Sequence, residues 1–202
     1  MQVSDQLRRF LNQQHILDWI DENKYNRVYE EYFNYYEIIS DLTEFLMETC
    51  GINPLVGMKC VPSGFGYKDL SQIEIPSNIT TIKQNAFYRN INLTVVQLSE
   101  KVIDIEQGAF SFCVKLDNIV LPSNLDRISN YMFQECTGLT NIVIPSGVTS
   151  IGSYSFHNCS RLQSIRFEGT IDDWKRIRVG EKAFDNVATS VVRCTDGVTR
   201  TQ

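Results

Sequence analysis

The sequence repeats every 23 residues between about residue 70 and residue 168, and this period constrains the fold more than any other feature. Three columns keep both the spacing and the residue type. They are Leu70, Leu93, Leu116, Leu139 and Leu162; Ile82, Ile105, Ile128 and Ile151; and Phe87, Phe110, Phe133 and Phe156. Because chance does not align three columns in this way, the chain is predicted to be a repeat protein.

Each unit opens with an alternation of apolar and polar residues, which predicts a short strand with one buried face. The buried positions are Ile73, Val96, Ile119, Ile142 and Ile165, followed by Ile75, Leu98, Leu121, Ile144 and Phe167. Pro76, Pro122 and Pro145 end three of these strands, since proline cannot donate to a strand ladder. A second extended piece ends at the repeated isoleucine. The segment around each phenylalanine predicts a helical turn that closes the unit.

A unit this short cannot bury its own apolar edge, so each unit must be covered by the next. The sequence therefore predicts an α/β repeat solenoid, in which short parallel strands stack about 4.8 Å apart. The phenylalanine column would form the spine of this coil.

The order of strand, Ile-Pro turn, second extended piece, Ala-Phe turn and cysteine resembles the BspA-like class of bacterial leucine-rich repeats, which includes phage and gut-bacterial members. Residues 140–145 and 154–162 follow that pattern closely, and the resemblance covers about residues 70–168. Residues 169–174 and 192–197 also resemble closing segments of this family. The resemblance implies a scaffold that presents a surface to other macromolecules, often at the cell surface.

Both ends depart from the period, which predicts a helical N-terminal cap or subdomain at 1–60, a solenoid at 61–168 and a C-terminal cap at 169–202. Residues 1–60 carry ten acidic and five basic side chains, so the net charge of -5 comes from this region. Helical spacing of apolar residues between 4 and 50 predicts a small bundle. Thr170 and Asp173 predict a capped short helix whose Trp174 covers the last phenylalanine layer, together with Ile177 and Phe184.

The cysteines and histidines do not favour an enzyme. Cys113, Cys136 and Cys159 occupy one inward column, which indicates buried structural thiols, although stacked neighbours would lie within disulfide range. His157 is expected to face solvent, away from Cys159, so a Cys-His nucleophile is not favoured. No zinc-type cysteine spacing or phosphate-binding glycine loop is present. We predict no catalytic site, no metal and no cofactor.

Charge and hydropathy exclude several partners. A net charge of -5 argues against nucleic-acid binding, which needs a basic face. The basic run Lys175, Arg176 and Arg178 is surrounded by acidic residues and is interpreted as a solvated face. No apolar stretch could cross a bilayer and no export signal begins the chain, so a cytoplasmic location without membrane contact is expected. A small-molecule ligand is not expected either, which leaves another protein.

The outward strand positions are the first candidates for binding that protein. They are Glu74, Val95, Gln97, Asn118, Val120, Asn141, Val143 and Arg166. Exposed valines amid amides, with a charge at either end, are typical of an interface. The alternative is that valine only favours strands.

A tyrosine stripe is the second candidate. Tyr25, Tyr29, Tyr32 and Tyr36 recur at helical spacing and form one face of an amphipathic helix. This face could contact a partner, because tyrosine is enriched at interfaces, or could pack on the first repeat.

The sequence thus predicts a non-enzymatic protein–protein interaction module. Two alternatives are an intracellular inhibitor or decoy of a cellular or antiviral-defence enzyme, of the kind that phages encode, and a surface adhesin. In the decoy, the acidic N-terminal region would mimic nucleic acid.

Overall fold

The computed structural model of the chain describes residues 60–61 and 70–201, which form a solenoid of stacked short strands. The helical bundle predicted at 4–50 and the tyrosine stripe lie outside the described residues. The boundaries 1–60, 61–168 and 169–202 therefore stay predictions. The described ranges contain no helical segment with the length and hydropathy of a membrane span.

The described elements are thirteen strands and one helix. The strands are β1 (Cys60–Val61), β2 (Gln72–Glu74), β3 (Thr81–Ile82), β4 (Val95–Gln97), β5 (Asp104–Ile105), β6 (Asn118–Val120), β7 (Arg127–Ile128), β8 (Asn141–Ile144), β9 (Ser150–Ile151), β10 (Ser164–Phe167), β11 (Arg178–Val179), β12 (Val191–Cys194) and β13 (Gly197–Arg200). The helix, α1 (Ile171–Arg176), lies between β10 and β11.

One sheet of seven strands, which we call the main sheet, runs along the whole described solenoid. Its order is β2-β4-β6-β8-β10-β12-β13 from one edge to the other. Neighbours pair in parallel and in register, so that Ile119 faces Ile142 and Ile142 faces Ile165. Only β13 is antiparallel to its neighbour. The short strands form two further sheets, β1-β3-β5 and β7-β9-β11.

The phenylalanine column forms the predicted spine. Successive rings from Phe87 through Phe110, Phe133 and Phe156 stack nearly parallel with centroids 5.3–5.6 Å apart. Phe184 continues the stack at 5.3 Å from Phe156, as predicted. The inward isoleucine, leucine and valine columns are buried around it, with Leu98 partly covered. The structure therefore confirms the core that the alternation of the sequence predicts.

The segment around each phenylalanine is not the helical turn that the sequence predicts. Each coil carries two residues of positive φ, four positions apart: Asn85 and Arg89, Gly108 and Phe112, Tyr131 and Glu135, Tyr154 and Asn158, Lys182 and Asn186. In the third coil the N–H groups of Tyr131, Phe133 and Glu135 donate to carbonyls of the next coil at 3.0, 2.8 and 2.9 Å. A helix directs its N–H groups along its own chain. The prediction was wrong because it ignored the hydrogen bonds between coils.

Residues 169–201 add a helix and a hairpin to the last coil. Thr170 caps α1 through the predicted capping box with Asp173, with both N–H to oxygen distances at 3.1 Å. Trp174 is fully buried, its ring 5.4 Å from that of Phe167 and 6.1 Å from that of Phe184. Its Nε1 donates to the Arg200 carbonyl at 3.0 Å. The helix thereby ties β13, a strand that the sequence analysis did not predict, to the core.

The first prediction concerns the spine. Phe133→Ala should lower the free energy of unfolding by about 3–5 kcal/mol, because it leaves a cavity between two stacked rings. Tyr88→Ala, at an exposed ring, should lower it by less than about 1 kcal/mol. Urea denaturation of both variants measures the difference. Equal losses would contradict a continuous phenylalanine stack.

The second prediction concerns the left-handed positions. Gly108→Ala should lower the free energy of unfolding by about 1–2 kcal/mol, because its φ is 66° and the added Cβ would clash with Asn85 Oδ1. Lys182→Gly, in the same column with φ 52°, should raise it by less than about 1 kcal/mol, because relief of left-handed strain outweighs the greater entropy of the unfolded chain and the loss of the lysine contact with the Tyr154 ring. Thermal and urea unfolding measure both. A clear loss of stability in Lys182→Gly would refute the argument from strain.

Candidate binding surface

The outward face of the main sheet presents the predicted strand residues in two rows. In the first row, Val95 lies opposite Asn118, and Asn118 opposite Asn141. In the second, Val120 lies opposite Val143, and Val143 opposite Arg166. The two rows run across neighbouring strands, so the structure brings these positions together on one surface.

One of the predicted exposed valines is partly covered. Val120 is 67% exposed and Val95 41% exposed, but Val143 is only half-buried rather than open. Val143 has in-register neighbours on both sides, Val120 on β6 and Arg166 on β10, and the expectation of full exposure ignored them. The apolar part of the face is therefore one prominent valine with a shallower one beside it.

The polar side chains of the face are exposed, and two of them form interactions with neighbouring side chains. Glu74, Gln97, Asn118, Asn141 and Arg166 all lie open to solvent. Asn141 donates through Nδ2 to the Thr140 hydroxyl at 2.8 Å, and Arg166 pairs with Glu168 at 3.0 Å. Exposed pairs of this kind contribute at most about 1 kcal/mol, so these side chains remain available to a partner.

The surface continues beyond the predicted residues onto β12 and β13. Arg193 lies in register with Arg166 on one side and Val198 on the other, and Val191 lies opposite Arg200. All five of these side chains are exposed. Sequence reasoning missed the positions on β13 because it placed no strand after the closing segment at 192–197. The alternation Val198, Thr199, Arg200 after that segment was the available signal.

The cysteine column is structural, as predicted. Cys113, Cys136 and Cys159 are free and buried, and each Sγ donates at 3.1 Å to a phenylalanine carbonyl of the preceding coil. Burial raises the pKa of the Cys159 thiol to about 12 and also raises the pKa values of Cys113 and Cys136. At neutral pH these thiols are protonated donors, so they do not supply a nucleophile.

His157 does not face solvent as the sequence analysis expected. Its side chain is mostly buried, with Nδ1 3.6 Å from Asp185 Oδ2 and its ring edge-on to Tyr154. Tyr154 in the same coil and Asp185 in the next coil both contact the imidazole, and the sequence analysis considered neither contact. Cys159 nearby donates to a backbone carbonyl rather than to the imidazole. The described residues thus form no Cys-His pair here.

The remaining acidic side chains and thiols of the described residues form no metal site, and two basic residues of α1 are paired. Among residues 60–61 and 70–201, no group of three His, Cys, Asp or Glu side chains could hold a metal ion. Lys175 pairs with Asp172 and Arg176 with Asp173 at 3.4 and 3.0 Å, all at exposed positions on α1. This agrees with the interpretation of the basic run as a solvated face.

Comparison with protein families identifies the family to which the repeats belong. Residues 61–191 match the model of the BspA type leucine-rich repeat region, with six copies. The chain belongs to this family of bacterial leucine-rich repeat proteins. The match passes residue 168, where the solenoid was expected to end, because Phe184 resumes the column 28 residues after Phe156 instead of 23.

Solved structures of leucine-rich repeat proteins are similar to part of the chain. A Bacteroides ovatus protein is 26% identical with a TM-score of 0.50, over 70% of this chain and 47% of its own. A Treponema pallidum protein is 26% identical with a TM-score of 0.46, over 62% and 60%. The pneumococcal vaccine antigen PcpA is 19% identical with a TM-score of 0.52, over 68% and 33%. The chain thus spans less than two thirds of each. A comparison with curated protein sequences found no match.

The third prediction follows from the thiols. Between about pH 8.5 and pH 10 the free energy of unfolding should fall, because unfolded thiols ionise near pH 8.5 while the buried ones stay protonated. Each thiol should contribute about 1.4 kcal/mol per pH unit in that range. Urea denaturation at several pH values measures the slope, and Cys136→Ala should reduce it by about this amount per unit. An unchanged slope in that variant would mean that Cys136 ionises while folded.

Proposed function

We propose that the chain is a non-enzymatic protein–protein interaction module whose outward main-sheet face binds a macromolecular partner. Family membership supports an interaction module, since leucine-rich repeat proteins generally serve as interaction or surface modules. The observation that carries the choice of face is Val120, a large apolar side chain held 67% exposed at the centre of a polar surface. An apolar centre with a polar rim is the usual arrangement at an interface.

Rigid presentation is the proposed mechanism of binding. Each strand of the face pairs with the strand on either side of it, and the strand at each edge of the sheet pairs with one. The inward side chains of these strands, such as Ile119 and Ile142, are buried in the core. The outward side chains are therefore fixed in spacing before a partner arrives. A surface that is already ordered loses little conformational entropy on association, which favours affinity.

The fourth prediction tests this face. Val120→Glu combined with Val143→Glu should abolish capture of a partner from native lysate, because binding would then bury two carboxylates against an apolar partner surface. Ile103→Glu is the matched control, since Ile103 is also exposed but lies outside the main sheet. Circular dichroism and thermal unfolding confirm that both variants stay folded. Equal capture by the two variants would assign binding to another surface.

The tyrosine stripe can be tested in the same assay. Tyr25→Ala, Tyr29→Ala and Tyr32→Ala together should weaken capture if this face contacts the partner. If the stripe packs on the first repeat instead, the variant should lose stability while the folded fraction still binds. Capture and urea denaturation measured together separate these outcomes.

An inhibitor or decoy is the second candidate, supported by the excess of five negative charges in residues 1–60. Mimicry of nucleic acid relies on long-range charge, so inhibition of a target enzyme should weaken steeply with rising salt. The cytoplasmic location also stays a proposal, and cell fractionation tests it. Recovery in the envelope fraction would favour the adhesin instead.

A further inference from the structure

The last three strands of the main sheet carry a cluster that, apart from Arg166, lies beyond the residues predicted to bind. It consists of Arg166 on β10, Val191 and Arg193 on β12, and Val198 and Arg200 on β13, and we call it the arginine–valine patch. All five side chains lie on the outward face, while Val192 between them is buried. The patch is continuous with the row of Val120 and Val143 through Arg166.

Strand register sets the spacing within the patch. Arg193 has Arg166 beside it on β10 and Val198 beside it on β13. Arg200 lies opposite Val191, two positions along β13 from Val198. Because adjacent strands are about 4.8 Å apart and residues rise about 3.3 Å along a strand, the three arginines leave the sheet within roughly 12 Å of one another. Two exposed valines stand between them, and Val198 is 64% exposed.

The positive charge of the patch is largely uncompensated. Arg166 pairs with Glu168, but the guanidinium groups of Arg193 and Arg200 form no ion pair or hydrogen bond with the described residues. The nearby Asp196 carboxylate accepts the N–H of Ile171. Like charges in register on adjacent strands destabilise a sheet. A chain of net charge -5 therefore concentrates three cations where folding does not benefit from them.

We infer that the arginine–valine patch binds an acidic segment of a partner protein, with carboxylates on Arg193 and Arg200 and aliphatic side chains on Val191 and Val198. This inference rests on the proposed interaction function and names the chemistry of the partner. The planar guanidinium group of arginine pairs in a bidentate way with carboxylates, and the exposed valines offer apolar contact to aliphatic side chains. Nucleic acid fits less well, because the patch offers no aromatic ring on which a base could stack.

A direct binding assay with the full chain tests the patch. The probe is a short fluorescein-labelled peptide in which glutamates alternate with leucine and serine, and the matched peptide has lysine in place of glutamate. Fluorescence anisotropy should show binding of the glutamate peptide alone, weakening as salt rises. Arg193→Gln with Arg200→Gln should weaken it about tenfold. Lys101→Gln with Arg178→Gln removes the same charge from other exposed positions and should have little effect.

A charge-reversal variant makes the assay independent of loss of folding. Arg193→Glu with Arg200→Glu should bind the lysine peptide and reject the glutamate peptide. No such exchange, or equal weakening by the control pair, would overturn the inference. If the peptide does not bind but oligothymidylate or phosphatidylserine vesicles bind in a way that depends on Arg193, the inference is wrong about the partner. The patch would then bind a different anionic partner.

The same assay separates this inference from the proposed face. If Val120→Glu with Val143→Glu prevents partner capture while the arginine variants do not change peptide binding, the face is right and the patch is wrong. If only the arginine variants matter, the patch is right and the proposed centre at Val120 is wrong. If neither pair has an effect, both are overturned.

Discussion

Every coil of this solenoid depends on its neighbour for hydrogen bonds as well as for burial. The turn around Phe133 sends three N–H groups to the next coil, while the Cys136 thiol donates to the coil before it. The phenylalanine rings connect the same layers through stacking. Because nearly all of these contacts join residues about one period apart, stability is a sum over neighbouring layers. The fixed spacing of the side chains on the outward face follows from this mutual dependence.

Much of the fold could be predicted because its main determinants are columns in the sequence. The inward isoleucines, the stack through Phe184 and the capping box at Thr170 each have a local or periodic signature. The turns lacked one, since left-handed conformations fall on Tyr131 and Glu135 as well as on Gly108. Those conformations are imposed by hydrogen bonding between coils, which no single repeat reveals. Tertiary contacts, and not local preference, determine that part of the chain.

The candidate surface was only partly visible in the sequence for a related reason. Alternation identifies which side of a strand faces outward, and this was enough to place Val95, Val120 and Arg166. It does not identify which strands become neighbours after the period is interrupted. The adjacency of Arg166 and Arg193 spans the helix α1, and the partnership of Arg193 with Val198 requires the hairpin. The surface at that end is a product of topology.

The longer spacing between Phe156 and Phe184 shows how the solenoid accommodates extra residues. Between Phe167 and Phe184 the chain forms a whole helix, yet Phe184 still stacks at the regular distance on Phe156. The connection before β11 can therefore vary in length while the neighbouring coils keep their regular spacing. Duplicating one complete coil, or inserting a foreign loop beside α1 while Trp174 is kept, offers a route to lengthen or reshape the scaffold without redesigning its interior.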